Sequence, residues 1–152
     1  MAKELNCNIP AEIQEQIKKY GAKEEIFEPV YRVSKRGTLD KETFISTYEE
    51  IISGQLPDDD EKYPKDKIGT YSTSVYKSID PCRKFMKCLK KSVRLRNKYP
   101  FPVILKGKTL CGLTQLTCER ELDYLDPYHI DWWIYEGKTE EVVDYYEIVK
   151  EV

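Results

Sequence analysis

The chain has 152 residues, of which 40% are hydrophobic and 34% are charged, a size and composition typical of one globular domain. The 25 Lys and Arg residues nearly balance the 27 Asp and Glu residues, and a net charge of -2 excludes a globally basic nucleic-acid binder. No apolar run approaches the roughly 18 residues that a membrane span requires, so we expect a single cytoplasmic domain over residues 1–152.

The first half of the chain predicts two helices and one strand. Isoleucines at helical spacing predict a short helix within an N-terminal helical segment, residues 1–25. Residues 26–33 predict a strand, in which Pro29 favours an edge or a bulge because it lacks a backbone donor. Residues 40–53 predict one continuous helix with an apolar side.

The middle of the chain predicts a loop, a strand and a basic helix. Residues 55–69 are polar and rich in turn-forming residues, which indicates a mobile surface loop. Residues 70–76 predict a strand, and Asp80 before Pro81 predicts a helix start with a capping carboxylate. The predicted buried stripe of that helix is Cys82, Phe85, Met86, Leu89 and Val93.

The last third of the chain predicts strands around a long loop. Residues 102–106 predict a strand, and residues 107–128 a long irregular connection. Residues 129–135 and 142–149 predict two strands joined as a hairpin by a Glu-Gly-Lys turn. With helices mostly early and strands mostly late, we predict an α+β domain with a mostly antiparallel β core and flanking helices.

The five cysteines do not have the spacing of zinc knuckles. The chain holds one histidine, His129, which lies far from them in sequence. Because nothing in the sequence marks the chain as secreted and metal ligands are usually spaced more closely, we expect reduced thiols and no metal site.

Three separated stretches combine residue types that can act together on a charged ligand. They are Tyr31-Arg32, Tyr71-Ser72-Thr73-Ser74 and His129-Ile130-Asp131-Trp132-Trp133. In chain order they resemble the arginine, the Ser-Thr-Ser strand and the acidic strand of the Arg-Ser-Glu class of mono-ADP-ribosyltransferases. That family has a split antiparallel β core that grips NAD, so the resemblance implies such a core and an NAD cofactor.

The resemblance also assigns roles to residues of this chain. Cleavage of the nicotinamide bond of NAD passes through an oxocarbenium-like ribose, which needs a phosphate-binding group, hydroxyls and a carboxylate near the developing charge. The implied catalytic residues are Asp131, Arg32 and Ser72. The implied cofactor-binding residues are Tyr31, Tyr71, Ser74, His129 and Trp133.

Strand alternation favours Asp131 over Glu136 as the acid. Side chains of a strand alternate between its two faces, so His129, Asp131 and Trp133 share the face that is expected to line a cleft. Trp132 lies on the other face, which is expected to pack on the core, and a regular strand would place Glu136 on that core face as well. The family uses Glu, which is about 1.5 Å longer than Asp. The site is therefore expected either to transfer ADP-ribose or cleave the nicotinamide bond, or to bind nucleotide without turnover.

The basic helix, residues 81–98, supports an alternative. Lys and Arg recur along it without an acidic residue, which is typical of a solvated face or of a contact with an acidic partner. The candidate partner-binding residues are Lys87, Lys90, Lys91 and Arg94. The chain also resembles small proteins of phages and mobile elements. That resemblance implies a non-enzymatic inhibitor of a host enzyme or defence system. Its expected partner is a protein, and a nucleic acid is the alternative partner.

Overall fold

The computed structural model describes residues 3–150 and shows a six-stranded antiparallel sheet with short helices around it. The strands are β1 (Val30–Ser34), β2 (Thr73–Tyr76), β3 (Val103–Gly107), β4 (Gly112–Leu116), β5 (His129–Ile134) and β6 (Glu147–Ile148). The helices are α1 (Ala11–Lys19), α2 (Thr47–Ile52), α3 (Asp80–Lys91), α4 (Val93–Lys98), α5 (Thr117–Arg120) and α6 (Thr139–Val143), with 3₁₀ turns at Lys41–Phe44 and Ile68–Tyr71. The predicted α+β class with antiparallel pairing is confirmed.

The sheet is weakly joined between β1 and β2. Its strand order is β4-β5-β2-β1-β3-β6, and every pairing is antiparallel. β1 and β3 share five registered pairs, whereas Tyr31 opposite Tyr76 is the one registered pair between β1 and β2 in the described chain. The sheet therefore consists of two three-stranded halves, β4-β5-β2 and β1-β3-β6, that meet at a single pair.

Residues 43–47 lie against β1 and β2 and bond to residues of both strands and of the segment leading into β2. The three bonds run from Arg32 Nε to Thr43 O (2.8 Å), from Thr73 Oγ1 to Phe44 O (2.6 Å) and from Thr47 N to Ser72 O (3.2 Å). Ile45 and Ser46, which join the 3₁₀ turn to α2, have extended backbone, so the prediction of one continuous helix over residues 40–53 is wrong. Ser46 caps α2 instead, in a capping box in which Glu49 N donates to Ser46 Oγ and Ser46 N donates to Glu49 Oε1, both at 3.1 Å.

The core lies on both faces of β5. One cluster packs beneath α1 and includes Leu5, Ile9, Ile13, Ile17, Ile68, Tyr71, Trp133 and Tyr135. The other lies on the opposite face and includes Val30, Phe44, Val75, Leu105, Ile130, Trp132, Val142 and Tyr146. The face of β5 that alternation predicted to line a cleft is therefore covered, because the isoleucines of α1 need an apolar surface to pack on.

The C-terminal third differs most from the prediction. Residues 107–128 contain β4 and α5 and are not one irregular loop. Of the predicted strand over residues 142–149, the first two residues lie in α6, which buries Val142 completely, and only Glu147 and Ile148 form a strand, β6. The hairpin is also wrong, because β6 pairs with β3 at the opposite edge of the sheet from β4 and β5.

The basic helix is present but is divided into two. α3 ends at Lys91, and Ser92 caps α4 by accepting a hydrogen bond from Leu95 N at 3.3 Å. Of the predicted stripe, Cys82 and Leu89 are buried, whereas Phe85 and Val93 are exposed. Asp80 is the first helical residue and makes no capping bond, so its predicted capping role is wrong.

Two other boundaries shift. β1 begins at Val30, so residues 26–29 of the predicted strand lead into it without belonging to it. The predicted strand over residues 70–76 is shorter because Ile68–Tyr71 form a 3₁₀ turn, which buries Ile68 at the end of the polar stretch.

Candidate functional site

A cavity of about 430 Å³ lies between β1, β2, α3 and α4, beside the gap between the two halves of the sheet. Its volume falls within the range of about 300–1,000 Å³ that small-molecule sites occupy. Polar groups on one side come from Arg32, Ser72 and Ser74. The aromatic side chains that line it are Tyr63, Tyr76, Phe85 and Tyr99. We call this space the Arg32 cavity.

Arg32 is held by backbone carbonyl groups in the wall of the Arg32 cavity. Its Nε donates to Thr43 O at 2.8 Å, and its Nη1 donates to Ser74 O at 2.7 Å. Burial lowers the pKa of Arg32, an effect that nearby Glu50 opposes. None of the ion pairs found among residues 3–150 includes Arg32, and Glu50 is paired instead with Lys35 at 3.2 Å. The guanidinium is therefore a partly buried cation without a bonded carboxylate.

Asp131 is a buried carboxylate with three hydrogen-bond donors around it. Ser72 Oγ donates to its Oδ1 at 2.7 Å, and Thr117 Oγ1 donates to its Oδ2 at 2.8 Å. Arg120 Nη2 is the third donor and forms an ion pair with Oδ2 at 2.7 Å. The Arg120 side chain is 9% exposed and the Asp131 side chain is 3% exposed. Gln115 Oε1 accepts from Arg120 Nη1 at 2.7 Å and so orients the guanidinium.

Arg120 and Thr117 are site residues that the sequence did not single out. Both lie in α5, within the stretch expected to be an irregular loop. A chemical signal was present, because an acid on a buried strand needs a cation or several donors nearby. The arginine between Glu119 and Glu121 is such a cation.

His129 lies between two hydroxyl groups and two aromatic rings. Its Nε2 is 2.9 Å from Ser74 Oγ, and its Nδ1 is 2.6 Å from Thr117 Oγ1. The rings of Tyr76 and Tyr124 flank the imidazole at centroid distances of 5.2 and 5.3 Å. Burial lowers the pKa of His129, so the neutral imidazole is favoured at neutral pH.

The structure brings together some of the sequence-predicted site residues and separates others. Ser72 connects the Arg32 cavity to Asp131, and Ser74 connects it to Arg32 and His129. Tyr71 donates its hydroxyl to Lys65 O at 2.8 Å, and Trp133 donates Nε1 to Ile68 O at 3.1 Å; both are buried beneath α1.

Three further predictions concern residues outside the cavity. Tyr31 pairs with Tyr76 across the sheet and does not line the Arg32 cavity. Glu136 is exposed and accepts a bond from Cys7 N at 2.8 Å, far from the network around Asp131. The candidate partner-binding residues, Lys87, Lys90, Lys91 and Arg94, are exposed on α3 and α4.

We expect the burial of His129 to make stability depend on pH. In the unfolded chain His129 takes up a proton near its ordinary pKa of 6.5. In the folded protein the pKa of His129 is lower, because the effect of burial outweighs the opposing effect of the charges of Asp131 and Asp126. The free energy of unfolding should therefore fall as the pH drops below about 6.5, by at most about 1.4 kcal/mol per pH unit. Urea unfolding of the wild type and of His129→Gln at a series of pH values measures this, and parallel pH profiles would contradict it.

No protein-family model, curated protein or solved structure matches this chain. Within residues 3–150, no helix is both long and apolar enough to cross a membrane. The same residues contain no cluster of three or more His, Cys, Asp or Glu side chains that could hold a metal ion. Function is therefore inferred from the geometry of the Arg32 cavity and the residues bonded to it.

Proposed function

We propose that this chain is an ADP-ribosyltransferase-like protein that binds NAD or a related nucleotide in the Arg32 cavity. The observation that carries the proposal is the state of Arg32. Charges taken out of water are normally paired, and this partly buried guanidinium has only carbonyl oxygens as bonded partners. A phosphate group in the cavity would provide the missing anion through a directed, charge-assisted contact.

The rest of the cavity suits a nucleotide. Lys35, Lys62 and Lys98 also line it, against the single acid Glu50, so the wall is net positive. The aromatic side chains that line the cavity offer faces on which a base or a nicotinamide ring can stack. A cavity that combines a positive wall with aromatic surfaces fits a ligand that has both phosphates and rings.

The relation between Ser72 and Asp131 supports the resemblance to the transferases but favours binding over turnover. Ser72 lines the cavity and bonds Asp131, which is the association of hydroxyl and acid that the resemblance implies. However, Asp131 is already neutralised by Arg120 and is reached from the cavity through Ser72. Electrostatic stabilisation of a ribose cation falls with distance and with such pairing. Transfer of ADP-ribose would therefore be slow unless Arg120 moves.

Titration calorimetry with NAD tests the proposal directly. We expect saturable binding to the wild type that ADP-ribose competes with, because both ligands carry the pyrophosphate that Arg32 would hold. Incubation with NAD labelled in its ADP-ribose part then separates binding from transfer. A folded wild-type protein that binds neither ligand would overturn both the sensing and the catalytic forms of the proposal.

The exposed basic residues favour a second candidate function. Lys87, Lys90, Lys91 and Arg94 are exposed, and no ion pair found among residues 3–150 includes them. An unneutralised basic surface of this kind can bind an acidic protein, as expected of a phage-type inhibitor, or the phosphates of a nucleic acid.

Charge reversal tests the second candidate. We expect Lys87→Glu, Lys90→Glu and Lys91→Glu together to weaken binding to polyglutamate or to duplex DNA by at least about tenfold, because several favourable contacts become repulsive. Fluorescence anisotropy at several salt concentrations measures this. The matched control reverses Lys18, Lys19 and Lys23, which are also exposed but lie in and after α1. Equal effects of the two triple variants, or binding that does not depend on salt, would count against a specific basic surface.

A further inference from the structure

A continuous chain of hydrogen bonds joins the Arg32 cavity to Asp131. It starts at Ser74, which is partly exposed and lines the cavity. Ser74 Oγ is 2.9 Å from His129 Nε2, and His129 Nδ1 is 2.6 Å from Thr117 Oγ1. Thr117 Oγ1 donates to Asp131 Oδ2 at 2.8 Å. A hydroxyl at the cavity wall is thus connected through an imidazole and a second hydroxyl to a buried carboxylate.

The direction of each bond in this chain follows from what its members can donate. A carboxylate only accepts, so the single hydroxyl proton of Thr117 points to Asp131. The oxygen of Thr117 must then accept from Nδ1–H of His129. In the neutral imidazole, Nε2 carries the lone pair and accepts from the hydroxyl of Ser74. His129 is therefore oriented as a base toward Ser74.

We propose that Ser74 is a nucleophile, with His129 as its general base, and that it attacks the phosphorus of a phosphate ester or anhydride bound in the Arg32 cavity. The Ser74–His129 distance of 2.9 Å lies within the range of activated nucleophile–base pairs. Thr117 and Asp131 are positioning residues that hold the base in one tautomer. The proposal requires a phosphorus ester or anhydride and does not depend on the ligand being NAD.

Arg32 and the surroundings of His129 support phosphorus as the electrophile. Arg32 Nη1 is bonded to the carbonyl of Ser74 itself, so a cation lies beside the nucleophile and can stabilise charge on the phosphoryl oxygens. The rings of Tyr76 and Tyr124 flank the imidazole and limit its contact with water. Because a shielded base is less readily solvated than an exposed one, the lone pair of His129 Nε2 stays available to the hydroxyl of Ser74.

The reaction balances without a further reactant except water. As Ser74 Oγ forms a bond to phosphorus, its proton passes to His129 Nε2, and the bond from phosphorus to the leaving oxygen breaks. The leaving group takes the proton from His129. Water, deprotonated in turn by His129, then attacks the phosphoserine ester and releases Ser74 with its proton restored.

A fluorophosphonate probe tests the proposal on the full chain. The hydroxyl displaces fluoride and forms a stable phosphonyl ester, which intact mass and peptide mapping detect. We expect one adduct, on Ser74, that is lost in Ser74→Ala and retained in Ser53→Ala, whose serine is exposed and outside the cavity. Inorganic pyrophosphate should slow labelling, because it competes for the side of the cavity next to Arg32.

Variants of the relay separate catalysis from structure. We expect His129→Gln to slow labelling at least about 100-fold, since a general base contributes about 10²–10⁴-fold. Thr117→Val should slow it, whereas Thr117→Ser keeps the hydroxyl and should restore the wild-type rate. Thermal unfolding of each variant shows whether it is folded. Any one of four results would overturn the proposal. They are no adduct on the folded wild type, an adduct that persists in Ser74→Ala, an unchanged labelling rate in folded His129→Gln, and no protection by pyrophosphate.

Discussion

Replacing Asp131 with Asn is expected to lower the free energy of unfolding by about 3–5 kcal/mol, which is the usual cost of removing one partner of a buried ion pair. Asp131 accepts bonds from Ser72, Thr117 and Arg120, and the Arg120 side chain is only 9% exposed. The amide of Asn keeps the shape but removes the charge and turns one acceptor into a donor. Arg120 would then lose its buried anion and keep only the ion pair with Glu121 at 3.1 Å, whose side chain is 46% exposed. Urea unfolding of the variant measures the loss.

Two further variants show whether the loss comes from the buried pair. The control is Glu141→Gln, which breaks a half-exposed pair with Lys138 (3.5 Å) and should cost less than about 1 kcal/mol. Adding Arg120→Met to Asp131→Asn removes the cation that has lost its buried partner and should recover part of the stability. A loss from Asp131→Asn no larger than that from Glu141→Gln would contradict the structure of this network.

Replacing Arg32 with Met is expected to weaken the proposed binding of NAD about 100-fold, in line with the loss of a hydrogen-bonded charge contact. Arg32→Lys should weaken it about tenfold, because an ammonium keeps the charge but cannot bond Thr43, Ser74 and a phosphate in the same fork geometry. Titration calorimetry gives both affinities, and the unfolding free energy is measured in parallel because the side chain also bonds two carbonyls.

The matched control for Arg32 is Arg96→Met. Arg96 is exposed on α4 and does not line the Arg32 cavity, so this variant removes the same charge without removing the contact. It should leave the affinity for NAD within about twofold of wild type, since exposed charges at a distance are screened by salt. Equal losses in the two variants would indicate general attraction of an anion and would contradict a directed contact at Arg32.

Helices and strands whose residue pattern matched the surfaces that they bury were predictable from the sequence. α1 was visible in the sequence because the isoleucines on one of its faces pack on the core. β5 was visible because aromatic and β-branched residues favour a strand, although both of its faces are buried. The continuous helix over residues 40–53 failed because Ser46 and Glu49 form a cap, a signal present in the sequence but outweighed by the apolar periodicity around it. β4 was missed because its polar side chains bond other segments, as Thr114 Oγ1 does with Glu25 O at 2.9 Å.

The sequence by itself determined the class of the fold, the absence of a global charge and the chemical types of Arg32, Ser72 and Asp131. Only the tertiary structure decided which groups meet. Strand pairing places Ser74 opposite Asp131 from 57 positions away, and α5 supplies Arg120 and Thr117 to the same carboxylate. Local patterns report on the face that an element buries, whereas a site formed by separate elements depends on register and crossing. Those properties are set by long-range packing, which no short motif encodes.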